Sequence, residues 1–210
     1  MDISVILPAY NEEKYIEQTL QALKGRGEII VVCNGCTDKT EDIAKRYADN
    51  VLVLKEKGVS KARNAGAAAA THNKLIFLDA DILVDGAVLE TIAACSYTIG
   101  TSKVKANSSR ILDKIIMWGK SHTHSLGFCT GLIFCNRDIF EQAGKFEKYL
   151  STKEDGRFLR RARMLGRYGV VDAYVYNHMR RFHKKGYLTV MLFWVKEYLF
   201  PSKKDYESVR

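Results

Sequence analysis

Leu75-Ile76-Phe77-Leu78 is an unbroken apolar run that stops at Asp79-Ala80-Asp81. A run this short, bounded by polar residues, reads as a strand buried on both faces, the pattern of a parallel sheet. In open α/β sheets, ligands bind just beyond the carboxyl ends of the strands. Side chains two apart on a strand share a face, so Asp79 and Asp81 can address one ligand. Paired carboxylates at such an edge suit a hard divalent cation carrying phosphate oxygens. The same residues also suit a turn at Asp79 and a helix cap at Asp81, and the segment alone does not separate the two readings.

The surrounding chain repeats the pattern. Ile3–Leu7 reads as a strand stopped by Pro8, which cannot donate to a ladder. Ile29–Val32, Val51–Leu54 and Lys74–Leu78 are three more. Between them, Ile16, Leu20 and Leu23 recur at helical spacing after Asn11 as N-cap, and Gly25 and Gly27 end that helix. Asp38 with Glu41 predicts a capping-box start. Ser60 is expected to cap a helix whose face is Ala62, Ala65, Gly66 and Ala69, small enough to sit close on a sheet. Four strands interleaved with three helices predict an α/β fold, a mostly parallel central sheet flanked by helices.

The second half is less regular. Asp85 is expected to cap a helix, Tyr97–Ala106 to hold a strand, and Ile111–Trp118 to form a markedly apolar helix. Gly131–Cys135 reads as a strand, Asp138–Ala143 as a short helix, and Glu154-Asp155 as the start of a helix that Gly166 closes. Val170–Tyr176 is the last strand.

At 210 residues the chain can bury a full core. Its 33 Lys+Arg against 24 Asp+Glu leave a net charge of +9, which favours anionic partners. No nucleic-acid module or aromatic-basic interleaving is present, so nucleic acid is not expected among them. Cysteines 33, 36, 95, 129 and 135 are an odd number that fits a reducing compartment. Cys33 and Cys36 have redox or zinc spacing, but no second pair completes a zinc site. Asp2 leads straight into a strand pattern rather than a signal peptide, so a cytoplasmic location is expected.

Val5 to Glu12, Asn34-Gly35-Cys36-Thr37-Asp38, Ala62-Arg63-Asn64-Ala65-Gly66, Leu78-Asp79-Ala80-Asp81, Thr130-Gly131 through Arg137, Phe140 and Gly144, and Glu154-Asp155 together resemble family 2 glycosyltransferases, in that family's order. The resemblance covers roughly residues 3 to 182. It implies an A-type glycosyltransferase fold, an inverting mechanism and a nucleoside-diphosphate sugar donor. It also implies Mg²⁺ or Mn²⁺ held by Asp81, with Asp79 nearer the ribose or sugar, and Asp155 as general base with Glu154 near the acceptor. Pro8, Ala9, Tyr10, Glu12 and Ala80 resemble the nucleotide-sugar wall, and Arg63 a residue that reaches the nucleotide or its phosphates. Where many relatives carry an acid after the second strand, this chain has Cys33 and then Asn34, which becomes the expected polar contact to the base. The Gln-x-x-Arg-Trp motif of processive synthases is missing. Arg180-Arg181 stands after the last strand and suits a diphosphate or phosphorylated acceptor. It equally suits a solvated surface. His178 or His183 could complete a metal shell, though packing explains a lone histidine as well. His122 and His124 fall in the expected acceptor loop.

The expected organisation is a catalytic domain over 1–182, with a nucleotide-sugar half (1–100) and an acceptor half (101–182), then a C-terminal amphipathic segment (183–210). Apolar residues from Leu188 to Phe200 are too few to span a bilayer and are flanked by lysines at 184–185 and 203–204. That pattern predicts contact with an anionic membrane surface, peripheral on its inner face, or with a second subunit, and it would suit a lipid-linked acceptor. A sugar nucleotidyltransferase is the competing enzyme class, but it opens with a Gly-rich phosphate loop, and Pro8-Ala9-Tyr10-Asn11 is not one. A non-catalytic nucleotide-sugar-binding or scaffold relative is the remaining alternative; the intact Asp79, Asp81 and Asp155 speak against it.

Overall fold

The apolar runs of the first half become strands of one sheet, seen in a computed structural model that describes residues 1–122, 131–147 and 154–199, the last six by backbone course alone. The strands are β1 (Ile3–Ala9), β2 (Glu28–Asn34), β3 (Asn50–Leu54), β4 (Lys74–Leu78), β5 (Ile82–Val84), β6 (Ile99–Ala106), β7 (Leu132–Asn136) and β8 (Tyr168–Asn177). Their order is β3-β2-β1-β4-β7-β6-β8-β5. The block β3-β2-β1-β4 is parallel throughout, and β6 runs parallel to β8. The strand β7 runs antiparallel to both β4 and β6, and β5 runs antiparallel to β8. The sheet is therefore mixed, with its parallel half where the sequence is most regular.

Strand alternation sorts the core onto two faces. Val5 and Leu7 look toward α1 (Ile16–Leu23), α2 (Thr40–Tyr47) and α4 (Gly86–Ala94), and Met117 of α5 (Ile111–His122) joins that side. Ile6 and Phe77 look toward α3 (Val59–Ala69), α6 (Arg137–Gln142) and α7 (Glu154–Ala162). There Phe77 packs with Phe140, Phe146 and Phe158 at centroid separations from 4.9 to 6.4 Å. The small-residue face of α3 does let it approach the sheet, because a Cβ on Gly66 would stand 2.4 Å from Ile6 Cγ2. The chain ends its described course in α8 (Arg180–Lys185) and α9 (Tyr187–Leu199).

Three cap expectations are corrected. Asn11 does not cap a helix: α1 starts only at Ile16, and Asn11 has φ 53 in the loop, where its Oδ1 accepts from Thr37 N at 2.8 Å. Ser60 lies buried within the first turn of α3, whose N-cap is Gly58. Asp38 does hold the start of α2, but by accepting from Thr40 N (3.0 Å) and Thr40 Oγ1 (2.5 Å) rather than through a reciprocal box with Glu41. The expected cap at Asp85 is present, accepting from Val88 N at 3.2 Å. Directly before it, β5 is a strand that three residues were too few to announce.

Candidate active site

Strands β1, β2 and β4 are parallel neighbours, so their carboxyl ends open on one edge. Ala9 to Glu12, Asn34 and Asp79 to Asp81 follow those ends. Asn34 is buried, and its side chain is committed locally. Its Nδ2 donates to Ala9 O at 2.7 Å and its Oδ1 accepts from Gly58 N at 3.0 Å, tying the end of β1 to the start of α3. The Lys57 ammonium lies 4.5 Å from the Tyr10 ring centroid. Ala80 O accepts from Thr19 Oγ1 at 3.0 Å, which fixes the backbone between the two aspartates.

Two arginines organise the carboxylates of this edge. Arg63, on α3, is a buried side chain rather than the solvated helix arginine its charge suggests. Its Nη2 donates to Asp79 Oδ1 at 2.9 Å and its Nη1 to Glu154 Oε1 at 3.0 Å, and it pairs closely with Asp155 Oδ1. Its guanidinium also lies over the Phe146 ring, 5.1 Å from the centroid. The β4 end and the first turn of α7, 92 residues apart from Arg63 at Asp155, are thereby joined at one point. Arg180, at the start of α8, grips Glu12 with two parallel bonds of 2.9 and 3.0 Å and donates to Asp81 Oδ2 at 2.6 Å. It lies 4.9 Å from the Tyr15 ring centroid, a neighbour that no sequence pattern singled out. The described ion pairs to these carboxylates from the basic pair run through Arg180.

The burial of these groups changes their acidity. Burial pushes Asp81 up to about 6, against the opposing pull of Arg180 and with help from Asp79 and Glu12. Burial likewise pushes Asp155 up to about 8, opposed by Arg63 and reinforced by Glu154 and Asp79. Burial works against the charge on Arg180, yet Glu12 and Asp81 outweigh it and hold the guanidinium more firmly protonated. A carboxylate raised in this way is a stronger base than a solvated one.

The donor set suits a hard divalent cation. Asp79 and Asp81 offer carboxylate oxygens at the strand end, and Asp79 is seated on Gly131, whose O accepts from the Asp79 backbone N–H at 2.9 Å. Gly131 has φ +91, and a Cβ there would stand 3.2 Å from Asp79 Oδ2. Among the described residues no three His, Cys, Asp or Glu side chains form a full cage. A cation that keeps water and phosphate oxygens needs only one or two carboxylates from the protein.

The histidines are placed elsewhere. His178 packs against Tyr15 at 4.9 Å, and burial and then Arg180 lower its basicity. His183 Nε2 donates to Asp113 Oδ2 at 2.9 Å, and Tyr187 Oη donates to Asp113 Oδ1 at 2.8 Å. Asp113 is fully buried, and the sequence signal for it was an acid inside the apolar run of α5. His122 stacks on Trp118 at 4.4 Å. His124 and Thr130 lie outside the described residues. Cys33 and Cys36 are not joined by a disulfide; the hydrogen bond shared with Cys36 and burial push the Cys33 thiol upward, which makes it a poor nucleophile.

Residues 4–94 match the family model of Glycosyl transferase family 2. Glycosyltransferase AglE of Haloferax volcanii is 36% identical over 91 residues, covering 38% of this chain and 30% of that protein. The uncharacterized glycosyltransferase EpsJ of Bacillus subtilis is 27% identical over 186 residues, 74% of this chain and 54% of that one. The chain thus spans about half or less of the length of these curated relatives. Residues 1–349 of TarS from S. aureus, solved in complex with UDP-GlcNAc, superpose with a TM-score of 0.70 at 23% identity, covering 85% of this chain and 58% of that one. Residues 4–94 of the chain thus match glycosyl transferase family 2, and the chain shares the fold of that structure.

Proposed function

We propose that the chain is an inverting glycosyltransferase that moves a sugar from a nucleoside-diphosphate sugar to an acceptor hydroxyl or phosphate. The observation that carries this reading is the junction at Arg63, where Asp79 from the nucleotide edge and Asp155 from α7 share one guanidinium. A donor-side carboxylate and a base of raised pKa then stand on either side of one guanidinium. TarS with UDP-GlcNAc, and a mannosyltransferase from Pyrobaculum calidifontis solved with GDP-Man and Mn2+, support the donor class through the shared fold.

Asp155 takes the proton from the acceptor oxygen as that oxygen attacks the anomeric carbon on the face opposite the diphosphate. The bond from the anomeric carbon to the diphosphate oxygen breaks, the configuration inverts, and the nucleoside diphosphate leaves with the electron pair. Glu154, beside the base, contacts the acceptor. Pro8, Ala9, Tyr10 and Ala80 line the nucleotide side, where Asn34 sets the shape of the wall by holding Ala9 to Gly58. Arg180 can exchange its carboxylate partners for the negative charge that develops on the leaving diphosphate. Asp81 with Asp79 would hold Mg²⁺ or Mn²⁺, which when bound supplies Lewis-acid stabilisation of that diphosphate.

The test is release of nucleoside diphosphate from a panel of nucleotide sugars, with the anomeric configuration of the released or transferred sugar read by proton NMR. An inverted anomer is expected, with Asp155→Asn reducing the rate by about 10²–10⁴-fold. A retained configuration, or an Asp155→Asn variant as fast as the parent, would overturn the reading.

A further inference from the structure

Helix α5 carries Ile111, Leu112, Ile115 and Trp118 out toward solvent, with Ile111 75% and Trp118 66% exposed. These positions fall at helical spacing and form one apolar ridge on the side away from buried Asp113 and Met117. Helix α9 does the same with Leu188, Met191 and Leu192, spaced i, i+3, i+4, while Val190 faces the core. Seven of the eleven large apolar side chains exposed among the described residues therefore sit on these two helices. Such a concentration exceeds the scattered exposed apolar residues of an ordinary surface.

The two helices are tied together. Asp113 of α5 accepts from His183 of α8 and from Tyr187 at the start of α9, and Phe182, Tyr187 and Val190 share the core cluster that holds Met117. The charges around the ridges have one sign. Arg110 precedes α5, Lys114 lies in its first turn, and Lys184 and Lys185 precede α9, all exposed. Among the described side chains of α5, α8 and α9, Asp113 is the sole acid, and it is buried.

We propose that α5 and α9 form a platform that docks on an anionic phospholipid surface. Apolar ridges enter the interface between headgroups and acyl chains, and the lysines and arginine meet the lipid phosphates. A second copy of this chain fits less well, because the same positive surface would face itself on a molecule of net charge +9. No helix among the described residues is long and apolar enough to cross a membrane, so the contact is interfacial. The inference does not depend on the sugar chemistry, although α8 runs from Arg180 at the carboxylates to this platform.

The full chain is sedimented with vesicles of phosphatidylcholine alone and of phosphatidylcholine mixed with phosphatidylglycerol. Binding to the mixed vesicles only is expected, weakened by high salt. The double variant Ile115→Gln, Trp118→Gln should bind roughly tenfold more weakly with an unchanged Tm, and Lys184→Glu with Lys185→Glu should remove the preference for anionic lipid. In a Trp194→Phe background the fluorescence of Trp118 should shift to the blue on anionic vesicles. Equal binding to both vesicle types would overturn the proposal, as would unchanged binding by the Gln variant. A Tm drop of several degrees in that variant would also overturn it, by showing that another part of the polypeptide covers the ridge.

Discussion

The two arginine clusters at the sheet edge use the same chemistry in different settings. Arg63 is 5% exposed and bridges carboxylates from β4 and α7, inside a wall that includes Phe146. Arg180 is 18% exposed, reaches the site from α8, and holds buried Glu12 and partly exposed Asp81. A buried guanidinium held by three carboxylates acts as a fixed strut that sets the distance from donor edge to base. One nearer solvent, with Asp81 of the cation site among its two partners, is positioned to change partners. The difference in burial separates a framework ion pair from an exchangeable one.

Replacing the strut should have the largest effect on the fold. Arg63→Met leaves Asp79, Glu154 and Asp155 without their shared cation, and a loss of about 3–5 kcal/mol is expected. Thermal or urea unfolding measures it. Arg180→Ala should cost less, about 1–3 kcal/mol, because Arg180 is itself nearer solvent and its loss frees two carboxylates rather than three. It should also let Mn²⁺ alone stabilise the protein more than it stabilises the parent, which thermal shift without nucleotide would show. Equal losses for the two variants would break the distinction.

The acidity of the two clusters sharpens it further. Asp81 at about 6 and Asp155 at about 8 are both raised, so the stability they contribute is full below the ordinary carboxylate range and is lost as pH rises through those values. Ligand-free protein should therefore show a Tm that falls steeply from about pH 4 to about 6 and less steeply on to about 8, and Asp155→Asn should remove the later part of the fall. A smaller effect still is expected away from the edge. Lys45→Ala, which breaks an exposed pair with Glu41 on α2, should leave both stability and nucleotide binding nearly unchanged in the same assays.

Much of this was legible in the sequence, for identifiable reasons. Buried parallel strands leave unbroken apolar runs, so β1 to β4 and the aspartates at the end of β4 could be placed directly. Strand direction leaves no mark in such a run, so the reversal at β7 could not. The members of the site were also legible, because carboxylates and arginines at loop starts are visible one by one. Their partners were not, since Arg180 meets Glu12 across 168 residues of chain and Arg63 meets Asp155 across 92. Ile111 to Trp118 show the limit of periodicity: an exposed apolar ridge has the same spacing as a buried one, and only the packing of Asp113 and Met117 tells which face is inside. Asn11 misled for a related reason, because a residue suited to a helix cap is equally suited to a left-handed loop position.

We propose that the edge formed by Glu12, Asp79, Asp81 and Arg180 binds a nucleoside-diphosphate sugar with a divalent cation. Calorimetric titration of the full chain with a panel of nucleotide sugars, with and without Mn²⁺, tests it directly. The expected result is saturable binding of at least one nucleotide sugar that requires the cation and is lost in Asp81→Ala. Absence of binding across the panel in the presence of Mn²⁺, or binding that Asp81→Ala leaves untouched, would contradict it.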